Sequence, residues 1–437
     1  MNALEPVVSR TEELAPTPAH APRSSGLTIC ICIAAAFQLN LCGLLPPATK
    51  VVGDLVLAVA VFRHEVLRLL LARRRFSLPL AVASGFVGYV LLQMGYTALQ
   101  WGELHLAVRE GRRWLIAGTY YVLLAAGLGF RLSTRVLGWT IVCFCLVTLG
   151  GILALRAGVE LWGAAGGIND QGGVLLFKPW IPGSLFLYLT PLLLMPTILD
   201  AGTPRGKAAA LVVLALVFLA AGVILAPFRA FLISSLAGLA VTTVSALIVA
   251  KRTRFLSRVL LAVFLCVVSG VIFADQRTAL QRWLWSAYDD FAQQKDNVEY
   301  RNRRFVALLR ATLESGDAAR IVAGTGFVHP DSIAAGILGY STETNDAGWV
   351  EIFLTGGWIG TGAVACLYVA MAAHFAGLLV SRKNSALAVL PGVWVVGGLL
   401  WYSSNPLLWD FGFVPIVLVA LLQMSRASNH VLRSGNA

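Results

Sequence analysis

Long apolar runs separated by short clusters of charged residues recur along almost the whole chain. A helix needs about 20 residues to cross the hydrocarbon core of a bilayer, and most of the runs have about this length. They occupy residues 27–45, 51–71, 78–99, 114–130, 136–155, 184–199, 208–226, 230–250, 259–274, 349–379, 386–402 and 411–424. A membrane barrel would instead alternate apolar and polar residues over about ten positions. The sequence therefore predicts an all-α polytopic membrane protein with about twelve transmembrane helices.

The composition supports this class, because 58% hydrophobic and 13% charged residues lie outside the usage of soluble domains. The pattern predicts a disordered tail, nine helices, one long polar loop carrying helical segments, three more helices and a short tail. Their predicted ranges are 1–25, 26–275, 276–346, 347–426 and 427–437. The second helix is the least regular of the twelve, because Arg63 and Arg68 interrupt its apolar run.

The basic residues predict which side of the membrane each connection occupies. With both termini in the cytoplasm, the tails and inner connections carry 19 lysines and arginines, and the short outer connections carry 7. This asymmetry places the long polar loop on the periplasmic side. The net charge of +12 then follows from the topology. We expect no nucleic-acid partner.

The residues that most often hold metals or nucleotides do not form a recognisable set. All seven cysteines lie within or at the edges of apolar runs, so we expect no disulfide framework and no thiolate metal site. His329 has no further ligands at metal spacing, so zinc is not expected. Gly324-Thr325-Gly326 is too short for a nucleotide-binding loop, and we interpret it as a tight turn that ends a helix.

Two charged residues stand out beside the apolar runs. Arg229 begins a predicted helix on the outer face with no basic neighbour. A positive charge there either anchors the helix at the interface or meets an anionic partner. Asp54 lies near the outer end of the second predicted span. We interpret it as the structural partner of an arginine.

The long polar loop carries a group of arginines on a helical pattern. Arg301 and Arg304 share one face of such a helix, and Arg303 shares another with Arg310. These arginines form either a solvated basic face or a clamp for phosphate oxygens, whose geometry suits the guanidinium fork.

Several of these features occur in a fixed order along the chain. They are Arg229, the pair Arg301 and Arg304, the Gly324-Thr325-Gly326 turn, residues 345–349 (NDAGW) and residues 356–360 (GGWIG). In this order, and on the outer face, they resemble the O-antigen polymerase and O-antigen ligase superfamily. Its members are multi-span bacterial glycosyltransferases of the GT-C type. The resemblance in topology covers most of the chain, and the residue matches are confined to 226–232 and 301–362.

The resemblance implies transfer of a glycan from an undecaprenyl diphosphate donor to a sugar hydroxyl, at the periplasmic face of the inner membrane. The implied reaction is inverting and needs neither a metal nor a cofactor. Cations must stabilise the negative charge of the leaving diphosphate. The resemblance assigns this role to Arg229, Arg301 and Arg304, with Arg303 beside them.

The position before the tenth span separates two branches of the superfamily. Ligases typically place a His there, often in a His-Asn pair, where this chain has Asn345-Asp346. An Asp followed by a small residue and Gly is more similar to the polymerase branch. The resemblance then implies chain extension, with Asp346 accepting the acceptor's proton and His329 as the alternative base. Glu351 contributes to substrate binding or pairs with an arginine.

Other functions remain open from the sequence: an O-antigen ligase acting on lipid A core, a lipid or polysaccharide transporter, and a structural scaffold. Transporters generally keep polar residues within several spans and often contain inverted repeats. This chain has no internal repeat, and its polar residues cluster at one face, which favours surface chemistry. The expected partners are the lipid-linked donor and acceptor, membrane lipids, and a flippase and chain-length regulator of the same pathway.

The topology can be tested with single cysteines in a cysteine-free background. We expect Ser332→Cys to react with a membrane-impermeant thiol reagent in intact spheroplasts, because the long loop faces outward. The matched Thr253→Cys variant should react only after the membrane is permeabilised. The reverse labelling pattern would place the long loop in the cytoplasm.

Overall fold

The structure, a computed structural model, describes residues 25–62, 77–126, 132–170, 175–199, 203–250, 306–307, 309–327, 348–382, 386–403 and 413–434. Helices dominate this part of the chain. They are α1 (Ser25–Gln38), α2 (Lys50–Phe62), α3 (Leu78–Trp101), α4 (Leu104–Ala126), α5 (Thr134–Arg156), α6 (Leu185–Leu199), α7 (Arg205–Leu225), α8 (Arg229–Ala250), α9 (Ala318–Ala323), α10 (Gly348–Arg382), α11 (Val389–Ser403) and α12 (Val414–Ser434).

Local signals account for several helix starts. Pro79 lies in the first turn of α3, where the missing N–H is not needed. Ser133 precedes α5, and its hydroxyl accepts a hydrogen bond from the backbone N–H of Val136 at 3.4 Å. The first turn of a helix leaves its N–H groups without intrahelical partners, so such a cap fixes where α5 begins.

Five helices of the described segments are long and apolar enough to cross a membrane. They fall within α3, α5, α7, α8 and α10. Shorter apolar helices cover Gly26–Gln38, Leu185–Ile198, Val389–Leu400 and Val414–Ala427. The chain is therefore a mostly helical protein with membrane-spanning character, and the number of twelve spans stays a prediction. The predicted span 259–274 and residues 1–24 of the predicted tail 1–25 lie outside the described residues, and Ser25 begins α1.

Helix α4 is longer than its apolar run predicts. The run begins at residue 114, whereas α4 begins at Leu104. The additional turns carry Arg109, Glu110, Arg112 and Arg113, which are all good helix formers that lack the hydrophobicity of a span. Hydrophobicity thus marks where a helix can enter the membrane, and it does not mark where the helix begins.

A β-hairpin joins α5 to α6 and departs from the predicted all-α class. Strand β1 (Ala165–Asp170) pairs antiparallel with β2 (Leu175–Trp180), and Gly166 stands opposite Pro179. A Cβ at Gly166 would collide with the ring of Phe177, so the absence of a side chain lets the ring lie across the hairpin. The segment 165–167 has no apolar run, which is why hydrophobicity alone did not predict a regular element here.

A left-handed turn follows α1. Asn40, Leu41 and Cys42 have φ angles of 49°, 44° and 55°, and Gly43 continues the turn at 95°. Three consecutive non-glycine residues in this region are unfavourable by about 1–2 kcal/mol each. The surroundings hold them there: Leu45 N donates to Asn40 O at 3.0 Å, and Gly163 N donates to Gly43 O at 3.0 Å.

Several polar side chains lie near one end of the helices. Gln38 ends α1, Asp54 follows the start of α2, and Arg112 lies in the early turns of α4. Glu351 lies at the start of α10. We call this region the polar end. The buried aromatic residues Tyr120 and Tyr121 of α4 pack deeper, with ring centroids 6.0 and 5.2 Å from that of Phe413.

Candidate functional site

The Gly324–Phe327 turn leads the chain out of α9 at the polar end. Asp317 caps α9 by accepting hydrogen bonds from Ala319 N at 3.1 Å and Arg320 N at 3.2 Å. The helix ends at Gly324, whose φ of 78° favours glycine. The prediction of a tight turn that ends a helix is therefore confirmed. Residues 309–314 are helical too, in agreement with the helical segment predicted in the long loop.

This turn is bonded to a break in α10. Gly357 has φ 57° and ψ −151°, which interrupts the helical hydrogen bonds around it. The carbonyl of Leu354 accepts from Thr325 N at 2.7 Å and from Thr325 Oγ1 at 2.9 Å. The carbonyl of Thr355 accepts from Gly326 N at 2.9 Å. The turn thus supplies donors to carbonyls that the broken helix leaves without helical partners.

Helix α3 holds the other side of the turn. The amide of Gln93 donates to Ala323 O at 2.8 Å and to Thr355 O at 2.6 Å, so one side chain joins the turn to α10. Trp101 Nε1 donates to Thr325 O at 2.9 Å. Thr97 Oγ1 accepts from Phe327 N at 2.8 Å. We call this meeting of α3, the turn and α10 the turn junction.

Glycines make the close packing of the turn junction possible. A Cβ at Gly326 would overlap Thr97 Oγ1, and a Cβ at Gly324 would overlap the backbone of Thr355. A Cβ at Gly356 or at Gly360 would overlap the hydroxyl of Tyr89 in α3. The two glycine-rich motifs of the sequence, residues 324–326 and 356–360, are therefore in direct contact through their backbones.

A buried polar network lies beside the turn junction. Asp54 Oδ2 is 3.1 Å from Arg112 Nε, so the prediction that Asp54 pairs with an arginine is confirmed. These two atoms are not aligned as a hydrogen bond, and charge attraction holds them. Gln38 Nε2 donates to Asp54 Oδ1 at 3.1 Å, and Tyr120 donates from its hydroxyl to Gln38 Oε1 at 2.6 Å. The network joins α1, α2 and α4.

Glu351 lies close to the charged residues of α4. Its Oε2 atom is buried and accepts no hydrogen bond from the described residues. Arg113 Nη1 is 3.8 Å from Glu110 Oε2. Among the described residues, no cation lies within ion-pair distance of Glu351. Whether Glu351 binds substrate stays a prediction.

The chain that leads into Arg229 is fixed by Tyr188 of α6. Its hydroxyl accepts from Phe228 N at 3.2 Å and contacts Ala226 O at 2.6 Å. Lys178 Nζ lies 4.5 and 5.1 Å from the ring centroids of Trp180 and Phe228, which are cation–π distances. Arg229 then begins α8, as predicted. Its backbone is described and its side chain is not.

The other predicted site residues lie outside the described residues. They are Arg301, Arg303, Arg304, His329 and Asp346. Their assigned roles stay predictions. Within the segments that the structure describes, no group of three or more His, Cys, Asp or Glu side chains could hold a metal ion.

The sequence pattern does not single out Lys50, Arg112, Arg113 or Gln38, which the structure brings together at the polar end. One signal was present: the run Arg109-Glu110-Gly111-Arg112-Arg113 adjoins an apolar span. A charged first half of a transmembrane helix has to meet polar partners, because charge in hydrocarbon is costly.

A comparison of the sequence with known families and curated proteins finds no match. The chain matches no protein-family model and no curated protein sequence.

The turn junction can be tested by removing its bridging amide. We expect Gln93→Leu to lower the free energy of unfolding by about 1–3 kcal/mol, because two buried carbonyls each lose a donor. Trypsin cleavage after Arg320, in the adjoining α9, should become several-fold faster. Gln100→Leu on an exposed turn of the same helix is the control and should leave the rate unchanged. Equal rates for the two variants would show that the turn is held without Gln93.

Proposed function

We propose that the protein is a glycosyltransferase that joins undecaprenyl-diphosphate-linked oligosaccharide repeat units, in exopolysaccharide or O-antigen synthesis. It would act at the periplasmic face of the bacterial inner membrane. The observation that supports this proposal most is the turn junction. It anchors the end of the one long polar segment to a broken membrane helix, beside a charged network. Such an anchor suits a reaction between two lipid-linked substrates at a membrane surface.

The leaving group sets the first chemical requirement. A diphosphate departs with concentrated negative charge, so catalysis needs fixed positive charge beside its oxygens. Arg229 is suited to this role, because it begins α8 directly after a segment that Tyr188 and the rings of Trp180 and Phe228 hold in place. The free N–H groups of a helix start favour anions as well. Arg301, Arg303 and Arg304 would complete the clamp from the long loop.

The acceptor hydroxyl sets the second requirement. Asp346 lies two residues before Gly348, the first residue of α10. Two residues span at most about 7 Å, so the carboxylate of Asp346 stays near the start of this helix. Thr355 of the turn junction is seven residues further along, or about 10 Å along the axis. A proton acceptor at Asp346 would therefore lie within about 12 Å of Glu351 and about 17 Å of Thr355, measured along the backbone.

The diphosphate role is tested by substitution of Arg229. Arg229→Ala should abolish polymer formation while the protein still accumulates in the membrane. Arg229→Lys should restore only part of the yield, because an ammonium cannot reproduce the guanidinium fork. Arg205, the first residue of α7, provides a matched control, and Arg205→Ala should leave polymer yield and length unchanged. Full polymer yield from Arg229→Ala would leave Arg229 as an interfacial anchor.

The role of Asp346 is tested by a substitution that separates a base from a helix cap. Asn caps a helix about as well as Asp, so Asp346→Asn should be nearly silent if the residue only caps α10. A general base should lose about 10²-fold in the rate of repeat-unit extension. Asp317→Asn, at the cap of α9, is the control for a silent exchange.

The same assay separates the alternatives. A severe loss in His329→Ala, with Asp346→Asn active, would move the base to His329. Transfer to lipid A core without chain extension would identify a ligase. Movement of intact lipid-linked glycan across the membrane without transfer would identify a transporter.

A further inference from the structure

The end of α5 meets the end of α7 beside the start of α8. Arg156, the last residue of α5, donates from Nη2 to Ile224 O at 3.0 Å and to Leu225 O at 3.1 Å. Ile224 and Leu225 end α7, where the last carbonyls of a helix lack partners within it. Arg229 begins α8 four residues later. Arg156 therefore lies at the same end of the helices as Arg229.

The hairpin between α5 and α6 packs against both places. The guanidinium carbon of Arg156 lies 5.7 Å from the ring centroid of Phe177 in β2, which is a cation–π distance. Trp180 ends the same strand, and its ring meets that of Phe228 edge to face with centroids 5.2 Å apart. Phe228 directly precedes Arg229. One strand thus holds the Arg156 side chain and the chain that leads into Arg229.

Arg156 keeps hydrogen-bond donors that the fold does not use. A guanidinium has five N–H donors, and the two bonds to α7 use only those of Nη2. Its Nε and Nη1 have no acceptor among the described residues, and the side chain is exposed. Glu160, the nearest carboxylate in the sequence, forms no ion pair with it. An exposed guanidinium that is held on one side and open on the other suits phosphoryl oxygens.

The chain between Leu225 and Arg229 is short and turned. Four residues span at most about 14 Å, and the bond from Phe228 N to Ala226 O at 2.8 Å tightens this connection further. Arg156 is bonded to one end of the connection, and Arg229 is the other end. A lipid diphosphate carries two phosphoryl groups in series, and one guanidinium fork pairs with one phosphoryl group. Two arginines at the ends of one short connection match such a ligand.

We propose that Arg156 binds one phosphoryl group of the lipid diphosphate donor while Arg229 binds the other, so that Arg156 makes the site prefer a diphosphate lipid to a monophosphate lipid. This inference rests on the proposed function and extends it by one residue and by a selectivity. Arg156 contributes binding and takes no proton from the acceptor.

The test measures lipid affinity of the full-length protein in phosphatidylcholine nanodiscs, without an acceptor. Undecaprenyl diphosphate and undecaprenyl phosphate are titrated separately, with inorganic diphosphate as a competitor. We expect Arg156→Gln to weaken binding of undecaprenyl diphosphate about tenfold, the loss of one charge-assisted contact. Binding of undecaprenyl phosphate should change by less than about twofold, because Arg229 alone serves a single phosphoryl group. Inorganic diphosphate should compete only at far higher concentration, because it lacks the chain.

The selectivity separates a phosphoryl contact from a cap. If Arg156 only caps α7, Arg156→Gln should affect both lipids equally, and an equal change would overturn the proposal. Arg156→Lys keeps the charge and a donor for the α7 carbonyls. It should show a smaller loss for the diphosphate lipid alone, and it decides the question if Arg156→Gln fails to accumulate. Arg135→Gln, in the first turn of the same helix, is the control and should bind both lipids as the wild type does.

Other results would also overturn the assignment. They are unchanged diphosphate affinity in Arg156→Gln and Arg156→Lys, an equal loss in Arg135→Gln, and inorganic diphosphate that binds as tightly as the lipid.

The two proposals fail in different ways. Lost binding in Arg229→Ala with full binding in Arg156→Gln would remove only the role of Arg156. A wild-type protein that binds neither lipid would remove the donor site of the proposed function together with this inference. The expected selectivity without any polymer formation would leave a diphosphate-lipid site at Arg156 and overturn the polymerase proposal.

Discussion

Every backbone polar group within a membrane has to find a partner inside the protein, because hydrocarbon supplies none. The break in α10 at Gly357 creates a local demand of this kind, and the Gly324–Phe327 turn meets it. The dependence is mutual. The turn needs the carbonyls of α10 as acceptors, and α10 needs the donors of the turn where its own ladder stops. A polar segment is thereby fixed to a membrane helix through backbone hydrogen bonds.

The charged network beside the turn junction follows the same rule. The first turns of α4 bring arginines to the polar end, and Asp54, Glu110 and Gln38 supply acceptors there. Glu351 differs from Asp54, since its Oε2 is buried with neither a hydrogen bond nor an ion pair among the described residues. A carboxylate that a fold leaves incompletely satisfied is a common feature of functional sites. In the proposed reaction it lies on the same helix that Asp346 precedes.

The sequence predicted the helical membrane class, the turn at Gly324 and the arginine partner of Asp54, because each depends on local pattern or on the cost of an unpaired charge. It did not predict which arginine that partner is, since Arg112 lies 58 residues away and only tertiary packing brings the two together. The hairpin was missed because its first strand is glycine-rich and carries no apolar run. The early start of α4 was missed because charged residues continue the helix beyond its span. The roles of Arg229, Arg301, Arg304, His329 and Asp346 stay predictions.

Because the left-handed turn after α1 fixes where α2 begins, the position of Asp54 depends on the number of residues that precede it in α2. The turn redirects the backbone from α1 toward α2, and α2 then carries Asp54 one turn beyond its first residue. One residue inserted between Lys50 and Asp54 would rotate the carboxylate by about 100° around the helix axis, away from Arg112. A deletion would rotate it by the same angle in the other sense. Val51 and Val52 are exposed and should tolerate changes of residue type far better than changes of length. Gly53 should tolerate neither, because a Cβ there would collide with the carbonyl of Ala34.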